Sequence, residues 1–210
     1  MSKTYVWDLP VRLFHWSLVA LVSGLWWTAE NAHMEWHARL GYGVLFLLIF
    51  RVLWGFAGST QARFASFLRA PSAVVAYLRG QQSHGIGHNP AGGWMVMLLL
   101  LLLASQAISG LFSNDDIMLE GPWVKWIDKT LSDTITYWHK AQFKAIVAAV
   151  ALHVSAVGFY LLIKRENLVR PMIPGYKNIT TTLPNLTAPA WRAGLIAVVA
   201  AALVWLAINV

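Results

Sequence analysis

The chain contains no cysteine. Disulfides, thiolate-held iron-sulfur clusters and covalent haem attachment through a CxxCH motif are therefore excluded, and any haem would be held non-covalently. Charge is scarce too. Only 12% of the 210 residues are Asp, Glu, Lys or Arg, against about 25% in an ordinary soluble domain. Acids are the rarer sign, 9 against 16 bases, and none sits in the centre of a long apolar run. That removes the side chains on which intramembrane proton relays usually depend. Internal repeats and low-complexity segments are lacking as well.

What is abundant is apolar surface: 58% of residues are hydrophobic and the mean hydropathy is +0.55. Such a chain is an integral membrane protein of the all-α class, with lipid as its first partner. Crossing about 30 Å of hydrocarbon takes about 20 helical residues. Five stretches qualify, spanning approximately residues 11–28, 36–56, 92–112, 138–163 and 190–208. The basic start and first apolar run resemble a signal peptide, but bulky Trp26 and Trp27 close the run where a cleavage site would want small residues, so it is read as a membrane helix. Asp8 with Pro10, and Asn89 with Pro90, announce the starts of helices one and three.

The net charge of +7 would suggest nucleic acid in a soluble protein; here it reads as topology. Lys3, Arg12, the run Arg51 to Arg79, and Lys164 to Arg192 all flank the same ends of the spans. The positive-inside rule makes those ends cytoplasmic, with the N-terminus inside and the C-terminus outside. Two connections, "RFASFLRAPSAVVAYLR" and "PWVKWIDKTL", read as membrane-surface segments, and most of the 12 Trp as interfacial belts.

Four histidines fall inside these spans. His139 and His153 are 14 residues apart, so they share a face of helix four, separated by about 40° around it and about 21 Å along it. Helix one runs outward and places His15 at the depth of His153. Helix two runs inward and places His37 at the depth of His139. Two layers of two imidazoles result. A facing pair at one depth suits the two axial positions of a haem iron. A single membrane histidine is as readily an interhelical hydrogen-bonder, and a proton relay stays open as a second class. A zinc site would need its ligands clustered rather than split by about 21 Å.

Arg51 lies 14 residues after His37, on nearly the same face at the cytoplasmic layer. It either snorkels to the interface or pairs with a haem propionate, and the second is the expectation here. Gly24, Gly41, Gly43 and Gly110 could admit a flat macrocycle, but close helix packing explains each equally well or better. His33, His84 and His88 lie in or near connections and are expected at the surface or interface.

The segments "VWDLPVRLFHW", "WHARLGY", "FRVLWGFAGS", "GHNPAGG" and "ENLVRPMI" together resemble the bacterial cytochrome b561 and nickel-iron hydrogenase b-type subunit family, along essentially the whole chain. The resemblance implies a four-helix core over 1–170 holding two b haems, followed by a connection and fifth transmembrane helix over 171–210. It puts His15, His37, His139 and His153 on the haem-iron ligand positions. It also implies electron transfer in a bacterial inner membrane, between quinone and a redox partner: a periplasmic cytochrome c or a hydrogenase or other reductase subunit. Nucleic acid is not among the expected partners, and a homo-oligomer is compatible with such a bundle. Superoxide oxidation coupled to quinone reduction, as in short four-helix members, is an alternative, and a non-redox anchor or proton-relay transporter is another. The quinone is expected near "KRENLVRP", where Arg165, Asn167 and Arg170 offer donors, although a stop-transfer basic cluster explains these residues as well. The acids of the loop 113–138 are expected either to steer a basic periplasmic carrier or simply to keep an outer loop soluble.

Overall fold

The computed structural model describes residues 2–81, 87–117, 119–179 and 187–209. Five helices are long and apolar enough to cross a membrane: α1 (Leu9–Glu30), α2 (Met34–Ala57), α5 (Pro90–Leu111), α6 (Lys129–Leu162) and α7 (Ala190–Ile208). Two short helices, α3 (Phe64–Phe67) and α4 (Pro71–Leu78), sit between α2 and α5. Strands β1 (Ser2–Tyr5) and β2 (Tyr176–Ile179) pair antiparallel, tying the start of the chain to the segment after α6.

The starts are set by side-chain caps. Asp8 Oδ1 accepts from Val11 N at 2.9 Å and Asn89 Oδ1 from Gly92 N at 2.7 Å, each followed by proline in the first turn. Both satisfy amides that the helix itself leaves without partners. Asp8 does more than cap. Its Oδ2 accepts from Trp54 Nε1 at 2.9 Å, joining the start of α1 to the end of α2.

Packing orders the helices. α1 lies on α2, α2 on α5 and α7, and α5 on α6. Consecutive spans run antiparallel, so the bundle has two ends. The proximal end carries β1, β2, α3 and α4; the distal end carries the α1–α2 turn and the long α5–α6 connection. Phe14, Val44, Leu48, Leu100, Leu103 and Ile146 form the central core, closed at the proximal end by Phe64 and Phe67 of α3. Large apolar side chains such as Trp26, Phe56, Leu101 and Leu162 point outward, as a lipid-facing surface requires.

Three expectations need correction. Span four begins at Lys129 rather than near 138, because Asp128 caps it, accepting from Leu131 N at 2.9 Å. At 34 residues α6 is about 51 Å long and outreaches a bilayer core of about 30 Å. "PWVKWIDKTL" is accordingly not one surface helix but a single 3₁₀ turn, Val124–Trp126, followed by that cap. Its Trp123 packs under α7, donating from Nε1 to the Ala207 carbonyl at 2.8 Å. In "RFASFLRAPSAVVAYLR", α4 buries no residue, as a surface helix should, but Phe64 and Phe67 are core residues.

The α2–α3 contact depends on glycine. A Cβ at Gly55 would lie 2.1 Å from the Phe64 ring. Overpacking of this kind costs about 1–3 kcal/mol, so Gly55→Ala is expected to lower the melting temperature in detergent, and trimming Phe64 to Leu in the same chain to restore most of it. An unchanged melting temperature for the single variant would show that the α2–α3 contact yields without cost.

Candidate functional site

The distal layer is the better defined. The rings of His37 and His139 meet edge to face, with centroids 6.3 Å apart and planes at 81°. A metal–imidazole bond is about 2.0–2.1 Å and a ring nitrogen lies about 1 Å from its ring centre, so two imidazoles on one metal place their centroids about 6 Å apart. The observed spacing fits one ion held between them.

Both rings are oriented from behind. His37 Nδ1 donates to the Leu25 carbonyl at 3.0 Å, with Thr28 Oγ1 alongside at 3.4 Å. His139 Nδ1 lies 3.0 Å from Ser109 Oγ. Ser109 uses its own hydrogen on the Gln106 carbonyl at 3.0 Å, so its oxygen accepts from the histidine. In each case Nδ1 carries the proton and Nε2 is left as the ligating atom, which is how metal-binding histidines are usually fixed. Gln106 Nε2 donates to the His139 carbonyl at 2.9 Å, and Gly110 admits the ring, since a Cβ there would come 3.2 Å from its edge. The other three glycines divide: Cβ atoms at Gly24 and Gly43 would meet Leu40 and Leu21 across the α1–α2 contact, which is helix packing, whereas Gly41 faces open space.

At the proximal layer His15 and His153 lie within electrostatic range of each other. His15 Nδ1 is buried without a hydrogen-bond partner. Arg51 is 3% exposed, its guanidinium lies over the Phe64 ring at 4.9 Å, and its Nη1 has no partner. Asp8 is near enough to favour the cation, but its two oxygens already accept from Val11 and Trp54. An Arg that snorkels would reach water; this one is held inside, so the snorkelling alternative is removed. Among the described residues no three His, Cys, Asp or Glu side chains cluster as a zinc site needs.

His88 departs from expectation. It stands between Trp7 and Phe67, at ring-centroid distances of 4.5 and 4.6 Å. Its Nδ1 is buried and unpartnered. Burial, then the charge of Arg51, then His153 push its pKa down to about 3, so the ring is neutral. The contacts from Trp7 and Phe67 are long-range, and sequence offered only its place before the Asn89 cap as a signal. His33 is exposed, as expected; His84 lies outside the described residues.

The remaining expected residues are engaged locally. Asn167 Oδ1 accepts from Arg170 N at 2.8 Å, Arg165 adopts φ 55° in the turn that ends α6, and all three residues are exposed. In the α5–α6 connection, Asp115 Oδ1 accepts from Ile117 N and Leu119 N at 3.0 and 2.8 Å. Lys129 bridges Asp116 and Asp133 at 2.6 and 3.0 Å. These acids shape the loop, and neutralising Asp115 would disturb its fold before any steering was measured.

The sequence profile of the family described as prokaryotic cytochrome b561 matches residues 6–175. A probable Ni/Fe-hydrogenase B-type cytochrome subunit of Cupriavidus necator is 24% identical, over 84% of this chain and 88% of that protein. A protein of the same description from Azotobacter chroococcum is 22% identical, over 88% of this chain and 92% of its own length. No solved structure matches the chain significantly.

Proposed function

Since the chain belongs to the prokaryotic cytochrome b561 family, a family of helical membrane b-type cytochromes that transfer electrons, we propose that it carries two haem b groups and passes electrons between membrane quinone and a redox partner on the far side of the bilayer. His37 and His139 would hold the distal haem, each with Nε2 left free by its anchored Nδ1, and His15 and His153 would hold the proximal one. The observation that carries this reading is the pair of rings 6.3 Å apart whose Nδ1 atoms are both anchored. Each haem, when bound, supplies one-electron chemistry at the potential its surroundings set.

The protein's own contribution is placement. α6 holds His139 and His153 14 residues apart, about 21 Å along the helix, so the two sites serve opposite halves of the membrane. An apolar core that includes Val44, Leu48, Leu100, Leu103 and Ile146 separates the two layers. Arg51, buried with an unpartnered Nη1, would pair with a carboxylate of the proximal haem, because a guanidinium is matched to such a fork. Following the positive-inside rule, the proximal end with its Lys and Arg faces the cytoplasm and the distal end the periplasm of a bacterial inner membrane. The relatives named as hydrogenase subunits support a hydrogenase as the partner, which this reading puts at the distal end.

Oxidation of a quinol releases two electrons and two protons. If quinone meets the chain near the proximal end, Arg165, Asn167 and Arg170 are donors to its oxygens. Anaerobic addition of a short-chain quinol is expected to reduce the purified protein, with b-type absorption bands appearing. Replacing all three residues by Ala should slow this reduction severalfold with haem content unchanged. Protein that no quinol or quinone can reduce or oxidise would overturn the quinone reading, and an unaffected rate in the triple variant would move the site elsewhere.

A further inference from the structure

We propose that His88 is a second donor, beside Arg51, to a carboxylate of the cofactor held at the proximal layer, which makes it a cofactor-binding residue outside the four axial histidines. The inference rests on the di-haem reading above.

Among the described residues, four buried side-chain nitrogens at this end have no hydrogen-bond partner: Arg12 Nε, His15 Nδ1, Arg51 Nη1 and His88 Nδ1, and the last two share one aromatic wall. Native proteins rarely leave such groups unpaired. The Arg51 guanidinium lies over Phe64 at 4.9 Å, the Phe64 and Phe67 rings are 5.9 Å apart, and Phe67 is 4.6 Å from His88, whose other side meets Trp7. His88 is also within electrostatic range of Arg51 and of His153. Asp8 favours the Arg51 cation through space, while its two oxygens accept from Val11 N and Trp54 Nε1, and neither Arg51 Nη1 nor His88 Nδ1 has a hydrogen bond.

The backbone holds His88 in place. Asn89 caps α5 with Oδ1 and donates from Nδ2 to Tyr160 Oη of α6 at 3.0 Å. Gly93 then brings the first turn of α5 against the Phe67 carbonyl, so near that a Cβ would lie 2.9 Å from it. His88, half-buried, is thereby presented where the segment before α1 meets α3 and the end of α6. Chemistry divides the work: Arg51 brings charge, and a neutral imidazole brings a directed N–H with no charge of its own to bury.

The test uses intact haem-loaded protein with His88→Phe, which keeps the aromatic packing and removes the N–H, and His88→Asn, which keeps a donor. Redox potentiometry is combined with redox-difference infrared spectra of haem labelled with ¹³C at its propionates. In His88→Phe both haems are expected to remain low-spin, one of the two midpoint potentials to shift, and a labelled carboxylate band to move; His88→Asn should return both part of the way. Should His88→Phe fail to accumulate, His88→Leu gives the same readouts. Potentials and bands identical to the parent overturn the inference. Loss of the low-spin signature of one haem also overturns it, since His88 would then be an axial ligand. A parent protein without b-type haem would instead defeat the di-haem reading itself.

Discussion

Purified His139→Ala protein is expected to carry half the haem b of the parent, and to keep the low-spin spectrum of the haem that remains. His139 and His37 pack against each other, and on the proposed pairing both would hold the distal haem, so removing either should release it. His153, about 21 Å further along α6, is untouched. His37→Ala should behave like His139→Ala, whereas His15→Ala and His153→Ala should remove the other haem. Ser109→Ala leaves the ligand and removes only the acceptor that orients it. Its effect should be smaller, within the roughly 10–100-fold in affinity typical of such supporting groups. Haem-to-protein ratios and difference spectra of the five variants check the pattern. Two haems retained in His139→Ala, or both lost in each single variant, would contradict the pairing.

Arg51→Leu is expected to act in opposite directions on the two forms of the protein. Without cofactor, the buried cation has an Nη1 that no acceptor meets, and replacing it by an apolar side chain removes that cost. Apoprotein stability should therefore be unchanged or raised. With cofactor, the proposed pairing would leave a buried haem carboxylate without its cation in this variant. Breaking a buried charge pair costs about 3–5 kcal/mol, corresponding to on the order of 10²–10³-fold or more in affinity for the proximal haem. Arg51→Lys keeps the charge but loses the fork, and should fall between. Thermal melts of apoprotein and haem titrations followed by absorbance separate the two effects. A variant that destabilises the apoprotein and spares haem affinity would make Arg51 a structural residue.

Much of this was legible in the residues because a membrane simplifies the problem. Hydrocarbon thickness sets span length, and antiparallel order with a rise of about 1.5 Å per residue assigns each histidine a depth. The sorting of His15, His37, His139 and His153 into two layers needed nothing else. Asp8 and Asn89 were readable as caps because proline follows each. Asp128 was not, since the Trp residues around it carry the signature of an interfacial segment, and only Trp123 packing beneath α7 shows otherwise. His88 was hidden for a different reason. Its burial comes from Trp7 and Phe67, 81 and 21 residues away in sequence, and no local periodicity reports contacts of that range. The acids of the α5–α6 connection looked like free charge because sequence does not show which of them Lys129 and the loop amides already engage.

The central claim is that this chain holds two haem b groups, each between two histidines. The most direct measurement is the pyridine haemochrome assay on purified protein, set against an amino-acid quantitation of the same sample. Two protohaems per chain, with difference spectra of low-spin b-type haem, is the predicted result. A colourless protein, or one haem per chain that persists in both His139→Ala and His15→Ala, would contradict it.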